Sequence, residues 1–178
     1  MKRLGGLAIA ALLIAGCASN VPQPPRPSQG ATRSVQKPLA GPVSPATYVA
    51  QAASIDLFVI KSSELALSRS SSSAIRDAAR RLIAAHQGTA SQLSFAGRRL
   101  NLLPSAMLLP QHQAMLDELS ASGDFDRAYV RLQRSVHGQA LALHSDYARR
   151  GTSPTLRPVA ANAVAVERAD IALLRSVG

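Results

Sequence analysis

From Ala46 to the C-terminus, the apolar residues of this chain recur at spacings of three, four and seven, the repeat of an amphipathic helix. The alternation of apolar and polar residues that is typical of half-buried strands is missing from this region. Aromatic residues make up only 3% of the sequence, which disfavours a β-sandwich because strands are rich in aromatic and β-branched side chains. The sequence therefore predicts an all-α fold.

The apolar stripes, and the residues that interrupt them, divide this region into four long helices and one short helix. Ser70 to Ser73 separate the first two helices, Asp124 is a good N-cap for the fourth and Gly151 ends it. Pro154 is expected at the first position of the last helix. The predicted helices span residues 46–70, 74–100, 111–121, 125–150 and 154–176. Four long amphipathic helices bury their stripes best as a four-helix up-down bundle, here with one extra short helix.

The same stripes predict which side chains form the core. In the first helix the predicted core positions are Val49, Ala52, Ala53, Leu57, Ile60, Leu65 and Leu67. The second helix contributes Ile75, Ala79, Leu82, His86, Leu93 and Leu100. The fourth contributes Phe125, Tyr129, Leu132, Val136, Ala140, Leu143 and Tyr147. One histidine, His86, thus lies on a predicted apolar face.

Residues 1–16 have the pattern of a bacterial export signal. Lys2 and Arg3 precede an apolar run, residues 4–15, that is shorter than the ~20 residues of a transmembrane helix. The run ends in Ile-Ala-Gly-Cys17, which resembles the bacterial lipobox. That resemblance implies cleavage before Cys17, diacylation of its sulfur and acylation of the new amino terminus. Two or more acyl chains give stable membrane anchoring. The alternative is an ordinary signal peptide followed by a chance cysteine.

The residue after the cysteine indicates in which membrane the protein is anchored. Gram-negative lipoproteins that stay in the inner membrane typically carry Asp at this position, whereas Ala18 stands here. The resemblance to that rule implies a lipid-anchored protein of the bacterial cell envelope, in the outer membrane and facing the periplasm.

Residues 17–45 predict a flexible tether after the lipidated cysteine. Seven of the 11 prolines of the chain lie in this stretch, and it has no apolar periodicity. Such a composition gives an extended, solvated linker. The predicted organisation is therefore a signal peptide over residues 1–16, a lipidated linker over 17–45 and a helical domain over 46–178.

Charge and cysteine content narrow the classes of partner. Lys and Arg number 20 against 10 Asp and Glu, a formal net charge of +10. Export and the shortage of stacking aromatic residues argue against nucleic acid. The pairs Arg80-Arg81, Arg98-Arg99 and Arg149-Arg150 are expected to face solvent, with anionic envelope lipid or another envelope protein as possible partners. A single cysteine excludes an intramolecular disulfide and a cysteine-based zinc cluster.

Motifs of common enzyme classes are missing. The sequence has no Gly-x-Ser-x-Gly, His-Glu-x-x-His, Gly-x-Gly-x-x-Gly or phosphate-binding loop pattern. A carboxylate-bridged di-iron bundle needs Glu three residues before its histidines, but no histidine here is preceded by an acidic residue at that spacing. We therefore expect no catalytic residues, although the question of an enzyme stays open.

The histidines are the candidate metal ligands. His86 and His137 lie on different long helices and approach each other if the helices set them at one level. Together with Asp170 they would form a transition-metal set. The alternative is a core histidine whose ring is satisfied by a polar neighbour. His144 lies two turns after His137, ~10 Å along the axis, too far to share one metal ion, and His112 on the short helix is expected to be exposed.

Two segments resemble a known family. They are residues 74–86, which end in His86, and Gly123-Asp-Phe-Asp-Arg-Ala-Tyr129, followed by His137. They are similar to an exported bacterial family of domains of unknown function whose members are often labelled outer membrane proteins. The resemblance covers residues 47–177 and implies a ferritin-like helical bundle.

The chain departs from that family at three positions. The family usually carries Asp where Ala85 stands, Glu near Val59 and His near Asp170. Two of these changes remove candidate ligands and the third exchanges one ligand type for another. We therefore expect the site to be vestigial and no cofactor to be needed, with a transition metal as the alternative.

Two functions follow from these observations. The first is a non-enzymatic envelope lipoprotein, in which a tethered helical bundle has a binding or structural role in the periplasm. The alternative is a degenerate ferritin-like bundle that binds a metal ion or carries out redox chemistry through His86 and His137.

The lipobox resemblance predicts the effect of Cys17→Ser. The variant should lose lipidation and accumulate as an uncleaved precursor or a soluble product, because the acyl acceptor is the cysteine sulfur. Incorporation of labelled palmitate measures this directly. Equal labelling of the variant and the wild type would show that Cys17 is not the lipid attachment site.

Overall fold

The computed structural model describes residues 41–177 of the 178-residue chain. The predicted signal peptide, Cys17 and most of the linker lie outside the described residues. The helices are α1 (Pro45–Arg69), α2 (Ser73–Arg98), α3 (Pro110–Ala121), α4 (Phe125–Arg150) and α5 (Leu156–Ser176). Residues 41–177 contain no strand, which confirms the all-α prediction. None of these helices offers an apolar stretch long enough to cross a membrane.

Side-chain caps set the starts of three long helices. The Ser44 hydroxyl accepts a hydrogen bond from the Thr47 amide at 3.1 Å, directly before the proline that opens α1. The Ser72 hydroxyl accepts from the Ile75 amide at 3.3 Å at the start of α2. Asp124 caps α4, as the sequence predicts. Each cap satisfies an amide that has no partner within its own helix.

The last helix begins later than predicted. Pro154 lies in the turn before α5, and the helix begins at Leu156. The Ser153 hydroxyl accepts a hydrogen bond from the Leu156 amide at 3.3 Å. This bond stabilises the turn that precedes the helix. The prediction that Pro154 is the first helical residue is therefore wrong by two positions.

The four long helices form a ring in which each helix is antiparallel to its neighbours. The three-residue link between α1 and α2 and the five-residue link between α4 and α5 make two hairpins. Near the start of α1, Tyr48 stacks on Tyr147 near the end of α4, with ring centroids 3.9 Å apart. At the opposite end, the guanidinium of Arg69 lies 4.7 Å from the centre of the Phe125 ring. These contacts set α1 against α4, and α2 packs on α5.

The short helix belongs to the crossover between the hairpins. Residues 99–124 carry the chain from the end of α2 back to the start of α4, and α3 packs on α1 and α4 along the way. Helices α2 and α4 consequently run in the same direction. A bundle with one long crossover is the ferritin-like arrangement that the family resemblance implies.

Two apolar clusters fill the bundle, and polar side chains separate them. The first cluster includes Phe58, Leu82, Leu119, Tyr129 and Leu132. The second cluster lies at the end where α1 begins and includes Tyr48, Val49, Leu93, Tyr147 and Leu156. The layer between them holds three acidic residues and three histidines of the four long helices: Asp56, His86, His137, His144, Glu167 and Asp170.

The buried face of α1 differs from the predicted one. In its second half the predicted positions Leu57, Ile60, Leu65 and Leu67 are only half-buried. The side chains that are fully covered instead are Phe58, Val59, Ser62, Ser63 and Ala66. Ser63 bonds to the Tyr129 hydroxyl at 2.9 Å, and Gln133 donates to Ser62 at 2.9 Å. The buried face includes serines, which a hydrophobic pattern does not count as core positions. The stripe predicted from the apolar residues alone is therefore rotated relative to the face that is buried.

The core positions of α2 and α4 predict the effect of truncation. Leu82→Ala and Leu132→Ala should each lower the free energy of unfolding by about 2–5 kcal/mol, because both side chains are buried in the first cluster. Urea denaturation of the two variants measures this. Leu103→Ala is the control, since Leu103 is 73% exposed and its loss should change stability by less than ~0.5 kcal/mol. Similar losses in all three variants would contradict the described packing.

Candidate metal centre

Two histidines meet in the middle of the polar layer. His86 of α2 and His137 of α4 have no solvent exposure, and their ring centroids are 5.1 Å apart. The sequence predicts that these rings approach each other if the helices align, and the described geometry brings them together. Imidazole rings at this distance are close enough to share one ion.

In each of the two histidines, a carboxylate contacts the Nδ1 atom of the ring. Nδ1 of His86 lies 2.8 Å from Oδ1 of Asp56, and Nδ1 of His137 lies 2.7 Å from Oε2 of Glu167. The Thr89 hydroxyl donates to the same Asp56 oxygen at 2.7 Å and fixes that carboxylate. Since an ionised carboxylate only accepts, each Nδ1 donates and each Nε2 is left to act as a ligand. A carboxylate behind the imidazole is the usual support of a metal-binding histidine.

Asp170 of α5 completes the group. Its Oδ2 atom lies 3.4 Å from Nε2 of His86, and one ligand atom from each of His86, His137 and Asp170 lies within 4.8 Å of the others. Both Nε2 atoms and Oδ2 are buried and have no hydrogen-bond partner among residues 41–177. Metal–ligand bonds of roughly 2.0–2.2 Å place neighbouring ligands about 3–3.5 Å apart. The three atoms therefore need only a small closure to contact one ion.

Burial and the neighbouring negative charges have opposite effects on the pKa of His86. Removal from water by itself lowers the pKa of this imidazole, but the nearby carboxylates of Asp170 and Asp56 raise it to about 10. Its proton therefore compensates part of the buried negative charge when no other cation is present. A metal ion must displace that proton to bind.

His144 and Tyr48 lie outside the group and connect to it through Glu167. The Tyr48 hydroxyl is 3.0 Å from Nδ1 of His144, and Nε2 of His144 is 3.9 Å from Oε1 of Glu167. Burial raises the pKa of Tyr48 and lowers that of His144, so the phenol donates to a neutral imidazole. The candidate group of His86, His137 and Asp170 does not include His144.

Two residues of the site are not evident from the sequence. The family's usual Glu is replaced by the apolar residue Val59, but Asp56, one turn earlier on α1, brings a carboxylate to His86. Glu167 lies three residues before Asp170, so both acidic side chains share one face of α5. The available signals were a lone acidic residue within the apolar run of α1 and an acidic pair at helical spacing on α5.

His112 is buried, so the prediction that it is exposed is wrong. Only 3% of its surface is exposed, and Nδ1 lies 2.7 Å from the Ser54 hydroxyl. The amide of Leu109 donates to the same hydroxyl oxygen at 2.8 Å, which leaves the Ser54 proton for His112. These bonds fasten the start of α3 to α1 and explain the burial. His112 is not part of the His86 group.

One family model matches most of the chain. It is described as "Domain of unknown function (DUF4142)" and matches residues 29–173. No curated protein matches the chain.

Two solved structures have a similar fold. One is described as CopM in the Cu(II)-bound form, with a TM-score of 0.64, 18% identity and coverage of 76% of this chain and 95% of that chain. The other is a DUF305 fragment from Deinococcus radiodurans, with a TM-score of 0.65, 18% identity and coverage of 76% and 97%. At this identity the similarity shows a shared fold.

The contact of His112 predicts a pH-dependent stability difference. Burial lowers the pKa of His112 below 6.5, so the proton that the unfolded chain gains below about pH 6.5 opposes folding. The stabilisation by neutral His112 is complete above pH 6.5 and is lost as the pH falls. His112→Gln should be less stable than wild type by ~1–2 kcal/mol at pH 7.5, and the gap should narrow by pH 5.5.

Urea denaturation at both pH values, with a chelator present, measures the gap. The other titrating groups are common to both proteins and cancel in the difference. A gap that stays constant or widens on acidification would contradict the assignment.

Proposed function

The chain belongs to the DUF4142 family, and we propose that it binds a transition-metal ion inside its helical bundle through His86, His137 and Asp170. The observation that carries this proposal is the convergence of three buried ligand atoms that make no hydrogen bond, two of which, Nε2 of His86 and Oδ2 of Asp170, form only an ion pair at 3.4 Å. A buried polar atom without a partner costs ~1–3 kcal/mol. One bound cation would satisfy all three atoms at once.

The donor atoms favour particular ions. Two imidazole nitrogens and one carboxylate oxygen suit Zn²⁺, Cu²⁺ or Fe²⁺. Three protein ligands leave a position for water or a small ligand. The structural similarity to the copper-bound form of CopM makes copper the first ion to test, although the similarity at 18% identity concerns the fold.

The clefts that border the supporting carboxylate Asp56 are small. One is lined in part by Asp56, Thr89 and His144 and has a volume of about 10 Å³, roughly the space that one water molecule needs. The other is lined in part by Asp56, Leu57 and Pro104 and has a volume of about 140 Å³. His86, His137 and Asp170 line neither cleft, and the burial of these three ligands supports holding or delivering a metal ion as the proposed role.

The cellular setting is also a proposal. The lipobox resemblance at Cys17 and the Pro-rich residues 17–45 support a lipoprotein tethered in the bacterial envelope, in the outer membrane and facing the periplasm. The excess of basic residues supports contact with anionic envelope lipid or another envelope protein. In that compartment a metal-binding bundle on a long tether would capture ions near the membrane.

Equilibrium dialysis against Cu²⁺ and Zn²⁺ tests the proposal. The protein is the mature chain, residues 17–178 produced without the predicted signal peptide, and it carries Cys17→Ser because a free thiol would itself bind these ions. We expect one ion per chain, and nitrogen couplings from two imidazoles in the electron paramagnetic resonance spectrum of the copper form. Saturating metal at a hundredfold excess over the dissociation constant should stabilise the fold by ~2.7 kcal/mol.

Matched variants assign the binding to the site. Asp170→Asn and His137→Gln should each weaken binding by more than ~100-fold, a larger loss than a supporting residue typically gives. His112→Gln is the control, since it removes a buried histidine outside the group and should leave affinity unchanged. Equal metal stabilisation of wild type and of the double variant His86→Ala, His137→Ala would refute the proposal. The bundle would then be a structural or binding lipoprotein with a vestigial site.

A further inference from the structure

We propose that the site selects divalent ions over monovalent ions such as Cu⁺ and Ag⁺, and that Asp56 and Glu167 set this preference by their charge without touching the ion. The inference rests on the proposed function, because it describes which ions the same site takes. It assigns a role to two buried carboxylates that the ligand set itself does not need.

The first support is the amount of buried negative charge. Asp56, Glu167 and Asp170 are only 4%, 1% and 5% exposed. Within residues 41–177, every ion pair of these carboxylates is made with a histidine, and none with Lys or Arg. With neutral imidazoles, three carboxylates of charge −1 give the group a charge of −3. Buried charge of this size is unfavourable without a compensating cation.

The second support is the dependence of attraction on ionic charge. A monovalent ion leaves the group at −2, whereas a divalent ion leaves it at −1. Coulomb energy is proportional to the product of the two charges, and it is larger inside a protein than in water. Each supporting carboxylate therefore attracts a divalent ion twice as strongly as a monovalent ion at the same position.

The third support is the chemistry of the donor atoms. Soft sulfur ligands select Cu⁺, whereas imidazole and carboxylate suit divalent ions. The only sulfur atoms of residues 41–177 belong to Met107 and Met115. Met107 is 77% exposed on the crossover, and Met115 of α3 packs against the first apolar cluster. Charge and donor type thus favour the same class of ion.

Asp56 and Glu167 also orient the imidazoles, and the test must separate this role from their charge. Asp56→Asn and Glu167→Gln keep the shape of each side chain and a carbonyl oxygen that accepts from Nδ1. Both variants therefore keep the rings in place and remove one negative charge each. Glu118→Gln is the matched control, because Glu118 is an acidic residue on α3 whose side chain is 52% exposed.

The experiment measures dissociation constants for Zn²⁺, Cu²⁺ and Ag⁺ on the mature chain carrying Cys17→Ser, at one pH. Ag⁺ serves as a monovalent probe that avoids copper redox chemistry. We expect Asp56→Asn and Glu167→Gln to weaken divalent binding by ~10–100-fold. Because the Coulomb term is smaller for a monovalent ion, Ag⁺ binding should weaken clearly less than divalent binding does. Competition by protons at the histidines is common to the ions and largely cancels in their ratio.

Each outcome decides between the proposals. Equal losses for divalent and monovalent ions would show that Asp56 and Glu167 act only by positioning, and would overturn the inference. Binding of Ag⁺ by the wild type as tight as that of Zn²⁺ would also overturn it. Absence of any divalent binding by the wild type would refute the proposed function itself. The wild-type comparison and two variants on different helices keep the test valid if one variant does not fold.

Discussion

The structure depends on hydrogen bonds between imidazoles and carboxylates in the middle of the bundle. Asp56 and His86 join the two helices of the first hairpin, and His137 and Glu167 join those of the second. Asp170 then approaches His86 across the boundary between the hairpins. Because these groups are buried, each is tolerated only with its partner, and the layer connects all four long helices at one level of the bundle. The apolar clusters on either side supply the large buried hydrophobic side chains.

Much of the fold could be predicted from the sequence because helical periodicity is a local property. The stripes of α2 and α4 and the cap at Asp124 follow from short-range patterns, and the sequence also identifies His86, His137 and Asp170 as a possible group. The sequence does not reveal which helices become neighbours, and that is a tertiary property. The two serine positions on the buried face of α1 look solvent-exposed until a tyrosine and a glutamine of α4 are placed against them.

The same reason explains why Asp56 and Glu167 escaped sequence analysis. An acidic residue in a helix is expected at the surface, since a buried carboxylate is unfavourable without a partner. The partners are histidines 30 positions away on the other helix of each hairpin. His112 is the converse case, because a polar residue on a short helix becomes buried when Ser54 of α1 bonds to it. Pairing across helices, rather than composition, decides the burial of these residues.

The candidate ligands come from both hairpins, and a cleft lined in part by Asp56, Thr89 and His144 has room for about one water. An ion bound by His86 of one hairpin and by His137 and Asp170 of the other would link the two hairpins. Such an ion would leave when the hairpins part, so its release would depend on opening of the bundle as well as on bond breaking at the metal. Residence time and affinity would then be set separately, the first by the packing of the two hairpins and the second by the ligands. A protein built this way would keep its ion through brief changes in the surrounding metal concentration.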